Sequence, residues 1–373
     1  MQFELTETQQ LLKNSAREFF AAECPMAEVR RLMDTESGFD PALWSKIAAQ
    51  GWPGLLFAEQ YGGAELGLVE AAVTMEEMGR ALAPTPFLST VLLAGTLIDA
   101  AGSEQQKKTW LAPICRGEAR STLALLEAGV RWEADAVALP ATRSNGGMQL
   151  NGRKLFVTDA GAADFLVVAA RGDGALALAV VEAGARGVEI QPMPAMDRTR
   201  RYYQVVFDQA LVPEGNVLAR GEAACSALEH ALDVATVGLC AEMVGGMQKE
   251  LETAVQYAQT RKQFGKPIGQ FQAVQHQCAD MLLLAESSRS AAYYAAWAMS
   301  QQIPERRLAV SVAKSYSSDA AREAGNRAIQ VHGGMGFTWE NDLHLYYRRA
   351  KSSETLFGDA IFHRERIARL LMD

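Results

Sequence analysis

The spacing of apolar side chains changes twice along the chain. From Leu5 to about Gly117 it follows the turn of an α-helix, with Leu12, Ala16, Phe19 and Phe20 on one face. Side chains that satisfy free backbone groups mark the helix starts. Thr6 with Gln9, and Ser103 with Gln106, have the spacing of capping boxes, and Asp40 before Pro41 sets an N-cap ahead of a proline at the first helical position. Gly51 closes that helix. The most apolar stretch, residues 87–102, predicts a buried helix: it is shorter than the roughly 20 residues of a membrane span and carries Asp99.

From about Ala119 to Arg220 the period falls to two, in short β-rich runs: STLALL, MQLNGRKLFVTD, DFLVVAA, ALALAVVEA and YYQVVFD. Asn151-Gly152 predicts a hairpin turn between two of them. After Gly221 the helical period returns in long segments, residues 223–261, 270–301 and 304–331; Leu228, Leu232, Ala235, Leu239, Met243 and Met247 recur on one face of the first. Antiparallel helices of this length joined by short loops form a bundle. The fold class is therefore α+β and multi-domain: an N-terminal α-helical domain over 1–118, a central β domain of barrel or sandwich type over 119–220, and a C-terminal long-helix bundle over 221–373.

About half of the 373 residues are apolar, enough for a large core, and the net charge of -8 disfavours non-specific nucleic-acid binding. The five cysteines are scattered and odd in number, which fits a reducing cytoplasm. Neither they nor the five histidines show metal-ligand spacing, so no metal is expected. The N-terminal MQFELTETQQLLK has neither the basic flank nor the apolar core of an export signal. No nucleophile-elbow, Rossmann or P-loop pattern occurs, so a phosphate-bearing cofactor needs another architecture.

Two stretches carry candidate chemistry. In YAQTRKQFGKPIGQFQAVQHQ a long helix ends at Arg261 and Lys262, a Gly/Pro loop follows, and the next helix carries Gln272 and Gln275. An arginine at such an end can pair bidentately with phosphate, or simply complement the helix dipole. In IQVHGGMGFTWE, Gly333 and Gly334 allow close backbone approach to an anion, or cap the preceding helix. His332 is a possible base, although a lone histidine beside a glycine turn is more often structural.

Together these stretches, YAQTRKQFGKPIGQFQAVQHQCADM and QVHGGMGFTWE in this order, resemble the two signatures of the acyl-CoA dehydrogenase family. The resemblance implies FAD, held mainly for a neighbouring subunit by Arg261, Gln263, Phe264, Gln272, Gln330, Gly333 and Gly334. It also implies a flavin-ring site in the β domain. There Thr158, in Phe156-Val157-Thr158, matches, as does Glu127; Leu126 stands where a hydroxyl is usual, and Arg131 and Trp132 replace a Gly-Ser pair.

Family members desaturate an acyl-CoA with a glutamate base, most often in a Y-E-G-T segment that corresponds here to LFGDAIFH. The acid becomes Phe357, and the following threonine becomes Asp359. Other members carry the base on the long helix, at the position of Ala235. Neither position holds a proton acceptor. Three readings follow. The first is a small, non-catalytic subunit in a heterotetramer, completing the FAD site of a larger acyl-CoA dehydrogenase subunit. The second is a self-sufficient homo-oligomer with a displaced base, for which Glu242, about 10 Å along the helix from Ala235, and Asp233 are candidates. The third is a flavin-free acyl-CoA-binding scaffold. Family resemblance further implies an electron-transfer flavoprotein as electron acceptor.

Overall fold

The computed structural model describes residues 4–129, 131–144 and 146–372. The chain gathers into two compact units, one of Met1–Arg31, Leu68–Ala83 and Thr236–Asp373, the other of Leu32–Gly67 and Pro84–Ala235.

The first unit is helical. Its main elements are α1 (Glu7–Glu23), α2 (Leu68–Ala81), α3 (Glu222–Thr260, which enters this unit at Thr236), α4 (Gln272–Ser300), α5 (Arg306–His332), α6 (Leu343–Thr355) and α7 (Ala360–Met372). The capping box of α1 forms as expected: Gln9 N–H donates to Thr6 Oγ1 at 3.2 Å, and Thr6 N–H to Gln9 Oε1 at 2.9 Å. α4 and α5 pack through buried alanines, among them Ala285, Ala292, Ala296, Ala313 and Ala324, whose small side chains let the helices approach closely. α2 and α3 come closer still. A Cβ on Gly79 would stand 2.0 Å from the Glu242 carbonyl oxygen, and one on Gly245 1.8 Å from that of Glu76, so only glycine fits either position.

Buried carboxylates need partners, and Glu76 of α2 has three. Lys13 Nζ lies at 2.9 Å, Arg289 Nε at 3.2 Å, and the Tyr293 hydroxyl donates at 2.7 Å, tying α1, α2 and α4 together. Burial pushes this carboxyl up, but Lys13 and Arg289 outweigh it, and the acid ends below its ordinary value.

The second unit holds two four-stranded sheets. One has the order β1 (Ser121–Ala124), β4 (Phe165–Gly172), β5 (Ala175–Glu182), β8 (Val217–Arg220); the other β2 (Ala141–Ser144), β3 (Gly147–Thr158), β7 (Tyr202–Pro213), β6 (Val188–Met193). β1 and β4 are parallel, and the remaining pairs in these two sheets are antiparallel. Leu150, Val157, Leu166, Val168, Ala179, Val205 and Phe207 belong to one shared core, the product of the period-two pattern.

One local expectation is corrected here and another is refined. Asn151-Gly152 is not a hairpin turn: β3 runs straight through it, and its register against β7 shifts between Leu150 and Gly152. The Asn151 side-chain oxygen accepts from Gln209 N–H at 2.8 Å, so the pair makes a β-bulge. The antiparallel neighbour of β3 on its N-terminal side is β2, with Ser144 paired to Gly147. The apolar helix at residues 87–102 is buried as expected, but Leu88–Gly95 is wound as a π-helix before Thr96–Ala101 becomes α-helical. A stretch apolar on every face carries no periodic signal that separates the two windings.

Candidate cofactor and active site

α3 ends at Thr260, and Arg261 follows it at the mouth of a small hairpin, β9 (Lys262–Gln263) with β10 (Lys266–Pro267). Ile268 N–H donates to the Arg261 carbonyl at 2.8 Å, which closes the loop before α4 starts at Gln272. Arg261, Gln263, Phe264 and Gln272 are all exposed, Phe264 by 91%. Among the described residues, neither the Arg261 guanidinium nor the Gln272 amide has a hydrogen-bond partner. An exposed aromatic on the hairpin and donors at its two ends are thus open to solvent.

Packing beneath this hairpin brings the second motif to it. Ala258, Ile268 and Val274 share an apolar cluster with Ala328 and Val331, and the Tyr257 ring stacks on His332 at 4.4 Å. His332 Nδ1–H donates to the Ala328 carbonyl at 2.8 Å; burial lowers its basicity. It is a structural residue that joins the ends of α3 and α5. Gln330 is exposed, and Gly333 has φ +59 with its N–H donating to the Gln330 carbonyl. Among the described residues, neither Gly333 nor Gly334 has an atom within 4 Å of where a Cβ would stand, so their backbone faces open space. The helix cap and the anion cradle are therefore compatible at one turn.

In the β unit, Thr158 is nearly buried, its Oγ1 3.5 Å from Thr122 Oγ1, and Leu126 is buried with its carbonyl accepting from Leu155 N–H at 2.8 Å. A register shift between Lys154 and Val157 puts Phe156 at φ +52 and leaves it partly exposed. Glu127 proves to be a framework residue. It accepts from Ala138 N–H at 3.0 Å, Leu139 N–H at 2.8 Å and Lys154 Nζ at 2.6 Å. Lys154, fully buried, also donates to the Leu125 carbonyl at 2.8 Å. Burial pulls the lysine down to about 8 against the pull of Glu127. Burial raises the glutamate, but Lys154 and the two backbone donors leave it below the ordinary range. Sequence reading missed Lys154; its signal is a lysine at an inward position of the β3 alternation. Arg131 is exposed, with carboxylates of Glu133 and Asp135 at 3.4 Å.

Phe357 lies in the turn between α6 and α7, with its ring buried and φ at +61. Gly358 follows at φ +98, where a Cβ would stand 2.3 Å from the Phe362 ring, so glycine is required there. Asp359 does not continue a helix but caps the next one, accepting from Phe362 N–H at 2.8 Å. From beneath, the buried Lys314 donates to the Ser353 and Glu354 carbonyls at 3.0 and 2.9 Å, and His363 Nε2–H donates to the Phe357 carbonyl at 3.0 Å. The turn is a defined structure around a phenyl ring that cannot accept a proton.

Burial lowers the His363 pKa to about 3, with Lys314 adding to the effect. The unfolded histidine titrates near 6.5, so below that pH the unfolded state binds a proton that the folded state refuses. Stability should therefore fall as pH drops from 6.5 towards 3, and His363→Gln should flatten that slope when thermal midpoints are compared across the range. Equal slopes would show that His363 does not set it.

The second base position is also apolar: Ala235 is fully buried on α3. Asp233, the other candidate, is buried as well and has a partner. Glu242 is buried between helices, 3.3 Å from Arg349 Nη1, with the Ser353 hydroxyl donating at 3.4 Å. Its charge is matched by a cation on α6.

Three family models together span nearly the whole chain: the acyl-CoA dehydrogenase N-terminal domain over residues 6–118, the middle domain over 122–210 and the C-terminal domain over 225–372. The chain belongs to the acyl-CoA dehydrogenase family. It is 30% identical over 383 residues to the probable acyl-CoA dehydrogenase YngJ of Bacillus subtilis, with 100% of both chains covered. Its fold matches butyryl-CoA dehydrogenase from Megasphaera elsdenii with a TM-score of 0.93 at 27% identity, covering 100% of each chain. It also matches a chain of the ChsE4-ChsE5 complex from Mycobacterium tuberculosis, with a TM-score of 0.91 at 27% identity, covering 100% of this chain and 99% of that one.

Proposed function

We propose that this chain is the small subunit of a heteromeric, FAD-dependent acyl-CoA dehydrogenase, completing the cofactor site of a larger partner that supplies the base. The reading is carried by Phe357. The turn that holds it is built with care, by Lys314, His363, Gly358 and Asp359, yet presents only carbon to a substrate. α,β-Desaturation requires a carboxylate, in a dry pocket, to take the proton beside the thioester. FAD, when bound, accepts the hydride from the neighbouring carbon. Ala235 is equally inert.

The donors suited to FAD, in contrast, are intact. An exposed guanidinium at Arg261, the Gln272 and Gln330 amides and the open Gly333-Gly334 backbone are the groups that bind a pyrophosphate and its nucleoside. Loss of the base with retention of these donors is the pattern of a chain that serves a neighbour's cofactor. The ChsE4-ChsE5 relative is itself a complex of two proteins, as its name states. A cytoplasmic location and electron transfer to an electron-transfer flavoprotein complete the proposal.

The test is to purify the chain alone and together with a co-expressed larger dehydrogenase subunit, recording size, flavin absorbance and acyl-CoA oxidation. A colourless, inactive chain that becomes part of a yellow, active complex is expected. Phe357→Ala in that complex should leave the rate of proton abstraction nearly unchanged. A yellow, active protein from this chain alone would overturn the heteromeric reading. Glu242→Gln would then decide whether the buried Glu242 acts as a displaced base.

A further inference from the structure

Glu250 lies on α3 with only 2% of its surface exposed. Among the described residues its Oε1 accepts no hydrogen bond, and it lies where a Cβ on Gly325 of α5 would come within 3.1 Å. The side chain also lines a cavity of about 20 Å³ between α2, α3, α5 and α6, whose walls include Gly79, Glu242, Gly246, Ala321, Tyr346 and Arg349.

The charged groups around it are committed elsewhere. On α2, the Arg80 guanidinium pairs with Glu252. On α6, Arg349 pairs with Glu242, the Tyr346 hydroxyl donates to the Arg80 carbonyl at 2.8 Å, and Tyr347 packs against Gly325. α5 contributes Ala321 and Gly325. On α3 itself, Glu242, the partner of Arg349, is the other acid lining the cavity among the described residues. An isolated carboxylate cannot be held in such surroundings, because desolvation of the charge costs far more than keeping the proton. A cavity of this volume has room for about one water molecule.

We propose that Glu250 and this cavity form a buried proton and water site: the carboxyl keeps its proton at neutral pH and donates it in a hydrogen bond to one water molecule in the cavity. Burial pushes the acid in the same direction, well above its ordinary value of 4.5. The consequence for stability has a definite sign. The unfolded carboxyl releases its proton near pH 4.5 and the folded one does not, so above that pH the folded state binds more protons. Stability is then lost as pH rises through the interval between the two values. The site makes the helical unit more stable in mild acid than at neutral pH, opposite to the effect of His363.

Wild-type protein and Glu250→Gln, each as the full chain in its native assembly, test the proposal. At neutral pH the wild type should show the infrared carbonyl stretch of a protonated carboxylic acid, and the variant should lack that band. The thermal midpoint of the variant should match the wild type near pH 4 and exceed it increasingly towards pH 8. A crystal structure should place a water within hydrogen-bonding distance of the Glu250 carboxyl. Absence of the infrared band in the wild type overturns the proposal, as does a dry cavity. Parallel stability curves do the same. Should the variant fail to fold, the wild-type band decides.

Discussion

Replacing Arg261 with alanine is expected to strip FAD from the assembled enzyme while leaving the protein folded. A bidentate guanidinium contact to phosphate is a hydrogen bond to a charged group, contributing about 1.5–3 kcal/mol. Its loss weakens FAD binding roughly 10- to 100-fold. Arg261 is exposed and has no partner of its own among the described residues, so truncation removes no internal contact and the thermal midpoint of the apoprotein should not move. Arg261→Lys keeps the charge but loses the planar fork, and should give an intermediate result. The measurement is flavin absorbance per subunit after gel filtration. Unchanged flavin content in the alanine variant would refute the role proposed for this hairpin.

Glu127→Ala should have the larger effect on folding. It removes the partner of a fully buried ammonium and, at the same time, the acceptor of two backbone N–H groups at Ala138 and Leu139. Breaking a buried pair from one side costs about 3–5 kcal/mol. Glu127 is partly exposed, and Lys154 can shed its proton at modest cost, so the lower end of that range applies. The denaturant midpoint of the chain reports it. A double variant, Glu127→Ala with Lys154→Met, should recover part of the loss, since no unpaired charge is left behind. No recovery would mean that Glu127 acts through Ala138 and Leu139 alone.

The sequence made long, repetitive features legible and short or evenly apolar ones obscure. α3, α4 and α5 were readable because a helical face repeats many times over their length, and the caps at Thr6 and Asp40 because their chemistry is local. β2, β6 and β8 were missed: four to six residues scarcely establish an alternation. Asn151-Gly152 was misread because the same pair suits a turn and a bulge, and only the pairing of β3 with β7 distinguishes them. At the candidate site, the residues of the Arg261 hairpin were visible as a motif. Their supports, the Tyr257–His332 stack and the His363 bond to Phe357, join residues far apart in sequence or depend on a left-handed turn, and no local pattern announces them.

The turn at Phe357 also bears on how such a chain can evolve. Phenylalanine and glutamate codons differ at every position, so acquiring the acid requires several substitutions, with another residue held at 357 in between. Each intermediate must tolerate φ near +61 at a buried site, which is harshest for β-branched valine, one of the residues on the way. The fold thus acts as a filter on mutation. Under the proposed division of labour between two subunits, the change at 357 is hard to reverse one nucleotide at a time.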